Sequence, residues 1–231
     1  MDFAAYYDAY WEEVEDQFDH ERLQVLVDRV HAGENVLEVD CGPGVLAAKL
    51  MAKGATVRGT DFSSVAVQRA RERGIPCDLV TLDNRECLPF DDATFDTVVS
   101  NNAIEHRFRH EWALDECVRV LRPGGKFILC LPNAAHWICR WWLLTGRFPI
   151  VRHSPTDSTH LRMFAIPDAR ALMEARGLRV VDVDGTASLW ARTFYPEWVR
   201  KHRLRSLYNW LTHRWPGLFA RDFVLVGIKV E

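Results

Sequence analysis

Three groups of side chains in this 231-residue sequence are suited to chemistry. The first is a glycine turn, Glu38-Val39-Asp40-Cys41-Gly42-Pro43-Gly44. Its glycines let a ligand approach the backbone, and a helix starting just after it would offer unpaired N–H groups. Gly42-x-Gly44-x-x-Ala47 also fits a dinucleotide fingerprint. Glu38 and Asp40 speak against that ligand, because two carboxylates beside the turn repel a pyrophosphate and suit a ligand that carries positive charge. The second group is Asp61, placed to accept hydrogen bonds from ribose hydroxyls. It implies a nucleoside without saying which one. The third is Glu105-His106 with His136 and His160, a carboxylate and three imidazoles able to take a proton near neutral pH. Each has a structural alternative: Glu105 as a helix-start residue, and His136 and His160 as imidazoles hydrogen-bonded inside the fold.

The elements that would position these groups alternate. Apolar runs at 35–39, 55–60, 77–82, 95–100 and 126–131 are separated by helical stretches at 45–53, 63–73 and 112–121. Ser63 reads as a helix N-cap. Strands that are apolar nearly throughout are buried on both faces, as in a parallel sheet covered by helices. The expected fold is therefore α/β: a doubly wound, Rossmann-like, mostly parallel seven-stranded sheet with an antiparallel C-terminal strand at 222–230. It forms one domain over 1–231, with an N-terminal helix at 10–31, a ligand-binding core at 35–131 and aromatic-rich cap insertions at 133–165 and 186–220. Seven of the nine tryptophans fall between Trp137 and Trp215, in the cap half.

Composition narrows the partners. Twenty-nine basic against thirty-two acidic residues leave a net charge of -3, with no global field to hold nucleic acid. The six cysteines include no C-x-x-C pair, which argues against a zinc ribbon. The N-terminus shows no secretory leader, and no apolar run approaches a membrane span, so a cytoplasmic protein is expected.

In their order and spacing these motifs resemble the class I S-adenosylmethionine-dependent methyltransferases from about Asn35 to Leu131. Glu38-x-Asp40-x-Gly42-x-Gly44 resembles the family's acidic glycine loop. Thr81-Leu82-Asp83-Asn84 resembles its adenine-contacting segment, 95–102 its fourth strand, and Leu121-Arg122-Pro123-Gly124-Gly125 the turn before its fifth. The resemblance implies S-adenosyl-L-methionine as cofactor, bound by Glu38, Asp40, Gly42, Gly44, Asp61 (ribose), Phe62, Asp83, Asn84 and Asn101. Asp40 departs from the pattern, standing where the loop's first glycine belongs. It either strains the loop and weakens cofactor binding or holds the cofactor's ammonium.

Downstream, 131–164 is similar to a subgroup that includes the methionine-biosynthesis protein MetW and methyltransferases of sugars, polysaccharides and lipids. The implied reaction is methyl transfer to a small-molecule or glycolipid-type acceptor, with His106, Glu105, His136 and His160 as candidate catalytic residues. Glu105-His106 also resembles the Glu-His of metal-dependent O-methyltransferases. Asn102 stands where such a site prefers a carboxylate, and no metal is expected. The basic aromatic stretch 192–214 suggests a surface for a phosphate-bearing or lipid-linked acceptor. Two other readings are a MetW-like regulatory partner of a homoserine acyltransferase and a nicotinamide-dependent dehydrogenase, the latter disfavoured by Glu38 and Asp40.

Overall fold

The computed structural model describes residues 3–14, 18–191, 193–199 and 202–230. The strands are β1 (Asn35–Val39), β2 (Thr56–Asp61), β3 (Cys77–Leu79), β4 (Phe95–Asn101), β5 (Leu121–Pro132), β6 (Leu178–Thr186) and β7 (Asp222–Lys229). They form one sheet in the order β3-β2-β1-β4-β5-β7-β6. Every neighbouring pair is parallel except the two made by β7. This is the doubly wound sheet with an antiparallel last strand that the apolar runs imply. Val36, Leu37, Val39, Val98 and Val99 are fully buried because helices cover both faces.

One face packs against α2 (His20–Asp28), α3 (Val45–Ala52) and α4 (Ser64–Glu72), the other against α5 (His110–Val120) and α7 (Ile166–Glu174). Strand order reverses between β1 and β4, and a crevice opens at the carboxyl ends of the strands there. Among the described residues no helix is long and apolar enough to cross a membrane.

Several boundaries differ from those expected. The helix expected over 10–31 is two helices, α1 (Phe3–Glu13) and α2. The chain redirects at Asp19, which accepts the Arg22 N–H as N-cap of α2. Asp19 is itself buried, bonded to Ser188 and 3.5 Å from the Arg221 guanidinium, so the turn is fixed by partners remote in sequence. The third strand ends at Leu79 rather than Leu82, and Leu82–Asn84 forms a 3-10 turn. The expected turn at Arg122–Gly125 is a register shift within β5, between pairings of Phe95 with Leu121 and Thr97 with Lys126.

The cap insertions are more regular than their composition suggests. They contain α6 (Trp137–Leu144), α8 (His202–Arg214) and the short α9 (Pro216–Phe219). Ile138, Cys139, Phe194, Tyr195 and Tyr208 belong to a third hydrophobic cluster that joins both insertions. Asn133 fastens this cap to the sheet. Its amide donates to Ala220 O at 2.9 Å, Pro216 O at 3.2 Å and Gly217 O at 3.3 Å, and its Oδ1 accepts the Ala135 N–H.

Candidate active site

At the carboxyl ends of β1, β2 and β4 lies a cavity of about 830 Å³. Glu38, Asp40, Gly42, Asp61, Phe62 and Asn101 line it, and so do Glu105, His106 and His160. Gly44, Asp83, Asn84 and His136 are not on its wall. The glycine turn is built as its composition demands: Gly42 has φ 54° and Gly44 φ 76°, a region that costs other residues strain. Asp61 ties the turn to β2, its carboxylate accepting N–H bonds from Gly42 and Ser63 at 2.8 Å each. Gly44 serves packing, since a Cβ there would meet Ile75 and Ala70 at 3.1 and 3.2 Å. Asp83 accepts the Arg109 N–H at 2.8 Å, and Asn84 is exposed.

Asp40 also sits in the left-handed region, at φ 55°. Its carboxylate is paired with the guanidinium of Arg107, whose Nε donates at 2.8 Å and whose Nη2 makes a second bond. Arg107 is 1% exposed, lies 4.5 Å over the Phe62 ring, and has Nη1 3.7 Å from Asp83. It braces the loop from behind the cavity. The side chain that departs from the glycine pattern is thus committed to a buried cation of this chain, a partner the loop sequence alone does not reveal.

Desolvated groups dominate the cavity. Burial lifts the Glu105 carboxyl to about 8 and that of Glu38 to about 8. Burial and then the neighbouring Asp40 lift Asp61 to about 7. Burial, followed by His160, lowers His106 to about 4, so its imidazole is neutral at pH 7. Burial lowers His160 as well. His106 Nδ1 lies 2.9 Å from Thr159 O and His160 Nδ1 3.1 Å from Pro155 O. A carbonyl only accepts, so each Nδ1 carries the proton and each Nε2 a lone pair. His106 Nε2 is 3.8 Å from Glu105 Oε1, and the two rings are 5.0 Å apart. The ligand atoms of Glu105, His106 and His160 lie within 4.8 Å of one another. The two neutral imidazoles so arranged can take a substrate proton, and with the Glu105 carboxyl, once it is deprotonated, form a donor set for a divalent cation.

His136 is elsewhere. Fully buried in the cap, it accepts the Ile138 N–H on Nδ1 as N-cap of α6 and lies 3.0 Å from Tyr208 Oη through Nε2. Burial pushes it down to about 3. Both its nitrogens are used in holding the cap together, which removes it from the candidate catalytic set.

One wall of the cavity escaped the sequence reading. Tyr6, Tyr7, Tyr10 and Trp11 of α1 line it. The Tyr7 ring packs 5.0 Å from Phe62 and 6.0 Å from His106, and a Cβ on Gly42 would strike Trp11 at 2.9 Å. Asp8 pins α1 by accepting from the Ser63 and Ser64 hydroxyls at 2.5 and 3.0 Å. The aromatic pairs Tyr6-Tyr7 and Tyr10-Trp11 were the available signal.

Residues 37–129 match the family profile described as methyltransferase domain, over the strands and loops that build this cavity. Residues 37–129 belong to the class I S-adenosylmethionine-dependent methyltransferases. The chain is 31% identical over 174 residues to a Mycolicibacterium smegmatis protein that bears the name of an S-adenosylmethionine-dependent methyltransferase, covering 74% of this chain and 63% of that one. It is 37% identical over 101 residues to the demethylmenaquinone methyltransferase of Clavibacter sepedonicus (43% and 41% covered). With the ubiquinone biosynthesis O-methyltransferase of Xanthomonas euvesicatoria it shares 29% over 194 residues (80% and 77%). The chain thus spans less than two thirds of the first two. Two solved structures share its fold: the complex of the Haloferax volcanii Trm112 methyltransferase activator with a methyltransferase, and an S-adenosylmethionine-dependent methyltransferase of Archaeoglobus fulgidus. The TM-scores are 0.68 and 0.65, at 23% and 14% identity, covering 100% and 99% of this chain and 98% and 100% of theirs. These relatives lend no support to a MetW-like regulatory role.

The family implies S-adenosylmethionine as cofactor, and the cavity fits it. Glu38 Oε2, Asn101 Oδ1, Asn102 Oδ1 and both oxygens of Glu105 are buried acceptors with no hydrogen-bond partner among the described residues, and all four residues line the cavity. Acceptors left in that state cost free energy until a ligand supplies donors or positive charge, as an ammonium and a sulfonium do.

Proposed function

We propose that this protein transfers a methyl group from S-adenosylmethionine to a hydroxyl or amine of a small acceptor that enters beside His106 and His160. The observation that supports this most is one cavity lined by two chemically distinct groups, a glycine turn with Asp61 and Phe62 and a pair of neutral imidazoles. The cofactor, when bound, supplies an activated methyl group on a good leaving group, so positioning accounts for much of the rate.

Residues of the chain supply the rest. Asp61 would accept from ribose hydroxyls, Phe62 would present its ring to the base, and Glu38 and Asn101 would accept from the ammonium. His106 Nε2, unprotonated above about pH 4, would take the acceptor's proton. Tyr7, Tyr10 and Trp11 would exclude water. The relative named as a ubiquinone biosynthesis O-methyltransferase makes phenolic acceptors the first to try, ahead of sugars and glycolipids. Isothermal titration with S-adenosylmethionine, then release of S-adenosylhomocysteine measured against a panel of phenols, sugars and lipids, tests the reading. No binding at millimolar cofactor would overturn it.

A further inference from the structure

The sequence points to 192–214 as a contact surface, yet Phe194, Tyr195, Val199 and Tyr208 are buried in the cap. Arg192, Arg200 and Lys201 lie outside the described residues, as does the side chain of Arg203. The apolar surface sits elsewhere. Ile138 and Cys139 bury one side of α6, while Trp141, Leu143 and Leu144 project from the rest of it. The chain then continues through exposed Phe148 and Ile150. Leu144 and Ile150 are 81% and 70% exposed, more than any other large hydrophobic residue described. Five such residues within ten positions form a ledge that water alone does not favour.

Along this segment the charge has one sign as far as Asp157, which accepts the His153 N–H. Arg140, Arg147 and Arg152 are all exposed, and the sequence from Asn133 to Thr156 contains no Asp or Glu. Ile150 and Arg152 also line the mouth of the cavity, so ledge and entrance are continuous.

We infer that residues 140–152 dock this protein onto an anionic lipid bilayer, the apolar side chains entering the interface and the three arginines meeting headgroup phosphates. The charge pattern selects this occupant: a second copy would set three arginines against three arginines. Docking brings the cavity mouth to headgroup level, where an amphiphilic acceptor is concentrated. It stands whether or not the acceptor is itself a lipid.

The test is flotation of the full chain with vesicles of phosphatidylcholine mixed with phosphatidylglycerol, against pure phosphatidylcholine. Three arginines near a charged surface give roughly a hundredfold preference for the mixed vesicles, largely lost at high salt. The variant Leu143→Asp/Leu144→Asp, both exposed positions, is expected to lose at least about tenfold in partitioning with an unchanged unfolding midpoint. Arg140→Gln/Arg147→Gln is expected to weaken binding to mixed vesicles only. Absence of binding to mixed vesicles, or equal binding by the Leu143→Asp/Leu144→Asp variant, overturns the inference. So does a wild-type dimer in light scattering that this variant splits while vesicles capture neither form.

Discussion

Replacing Asp40 by glycine sets two effects against each other. At φ 55°, Asp40 occupies a conformation that costs a non-glycine residue about 1 kcal/mol, which glycine would relieve. The same change strips Arg107 of its bidentate partner, and Arg107 is buried. Removing one member of a buried pair costs about 3–5 kcal/mol, because the remaining charge is left desolvated and unpaired. Asp83, at 3.7 Å, still offers some compensation, which favours the lower end of that range. The net loss is then about 2 kcal/mol, or a fall of roughly 4–8 °C in Tm for a chain of this size. Thermal and urea unfolding of Asp40→Gly, Arg107→Met and the double variant complete the cycle. Arg107→Met alone leaves Asp40 both strained and without its partner, while the double variant should return to within about 1 kcal/mol of wild type, since removing both charges is often neutral. If Asp40→Gly proves as stable as wild type, or the double variant as unstable as that single one, the brace reasoning is wrong.

Three further outcomes are expected. Asp61→Ala should weaken S-adenosylmethionine binding about tenfold or more by titration calorimetry, as loss of hydrogen bonds to a charged group predicts, and an unchanged Kd would contradict the ribose role. His106→Gln should lower kcat about a hundredfold with little change in KM for a hydroxyl acceptor. The fall of wild-type kcat as pH drops through about 4, where the imidazole charges, should be absent in His106→Gln, and a fall there that survives in the variant would show that His106 is not the proton acceptor. For Glu105, raised from 4.5 to about 8, the folded chain keeps a proton that the unfolded chain releases between those values. Its contribution to stability therefore declines as pH rises through that window. The stability gained by Glu105→Gln should be larger at pH 8.5 than at pH 5, and a pH-independent difference in urea midpoints would refute this.

The core was legible because its rules are local. Apolar runs bounded by turn residues located β1, β2 and β4 within a residue, and Ser63 announced the start of α4. The cofactor end of the cavity followed from the same stretch, since Glu38, Gly42, Asp61, Phe62 and Asn101 each sit at a strand end or in the adjoining turn. What stayed hidden depends on contacts between distant segments. Asp19 breaks an otherwise helical pattern because Ser188 and Arg221 hold it. Arg107 reads as a surface cation until Asp40 folds against it. His136 and His160 are alike in sequence, yet one is enclosed by Tyr208 and the other faces the cavity. Composition could not rank the aromatic insertions either, because tryptophan serves equally as cap core and as exposed ledge.

The attachment of α1 has a kinetic consequence. Among the bonds that fasten it are those of Asp8 to the start of α4 and of Arg69 to the carbonyls of Trp11 and Val14. These anchors run to α4 and its N-cap, so breaking them loosens this wall while the strands stay paired. The lifetime of a ligand behind it then depends in part on how often these polar bonds break together. Ligand affinity and ligand release become separable properties: changes at Asp8 or Ser64 would accelerate exchange and turnover without touching a group that contacts the acceptor.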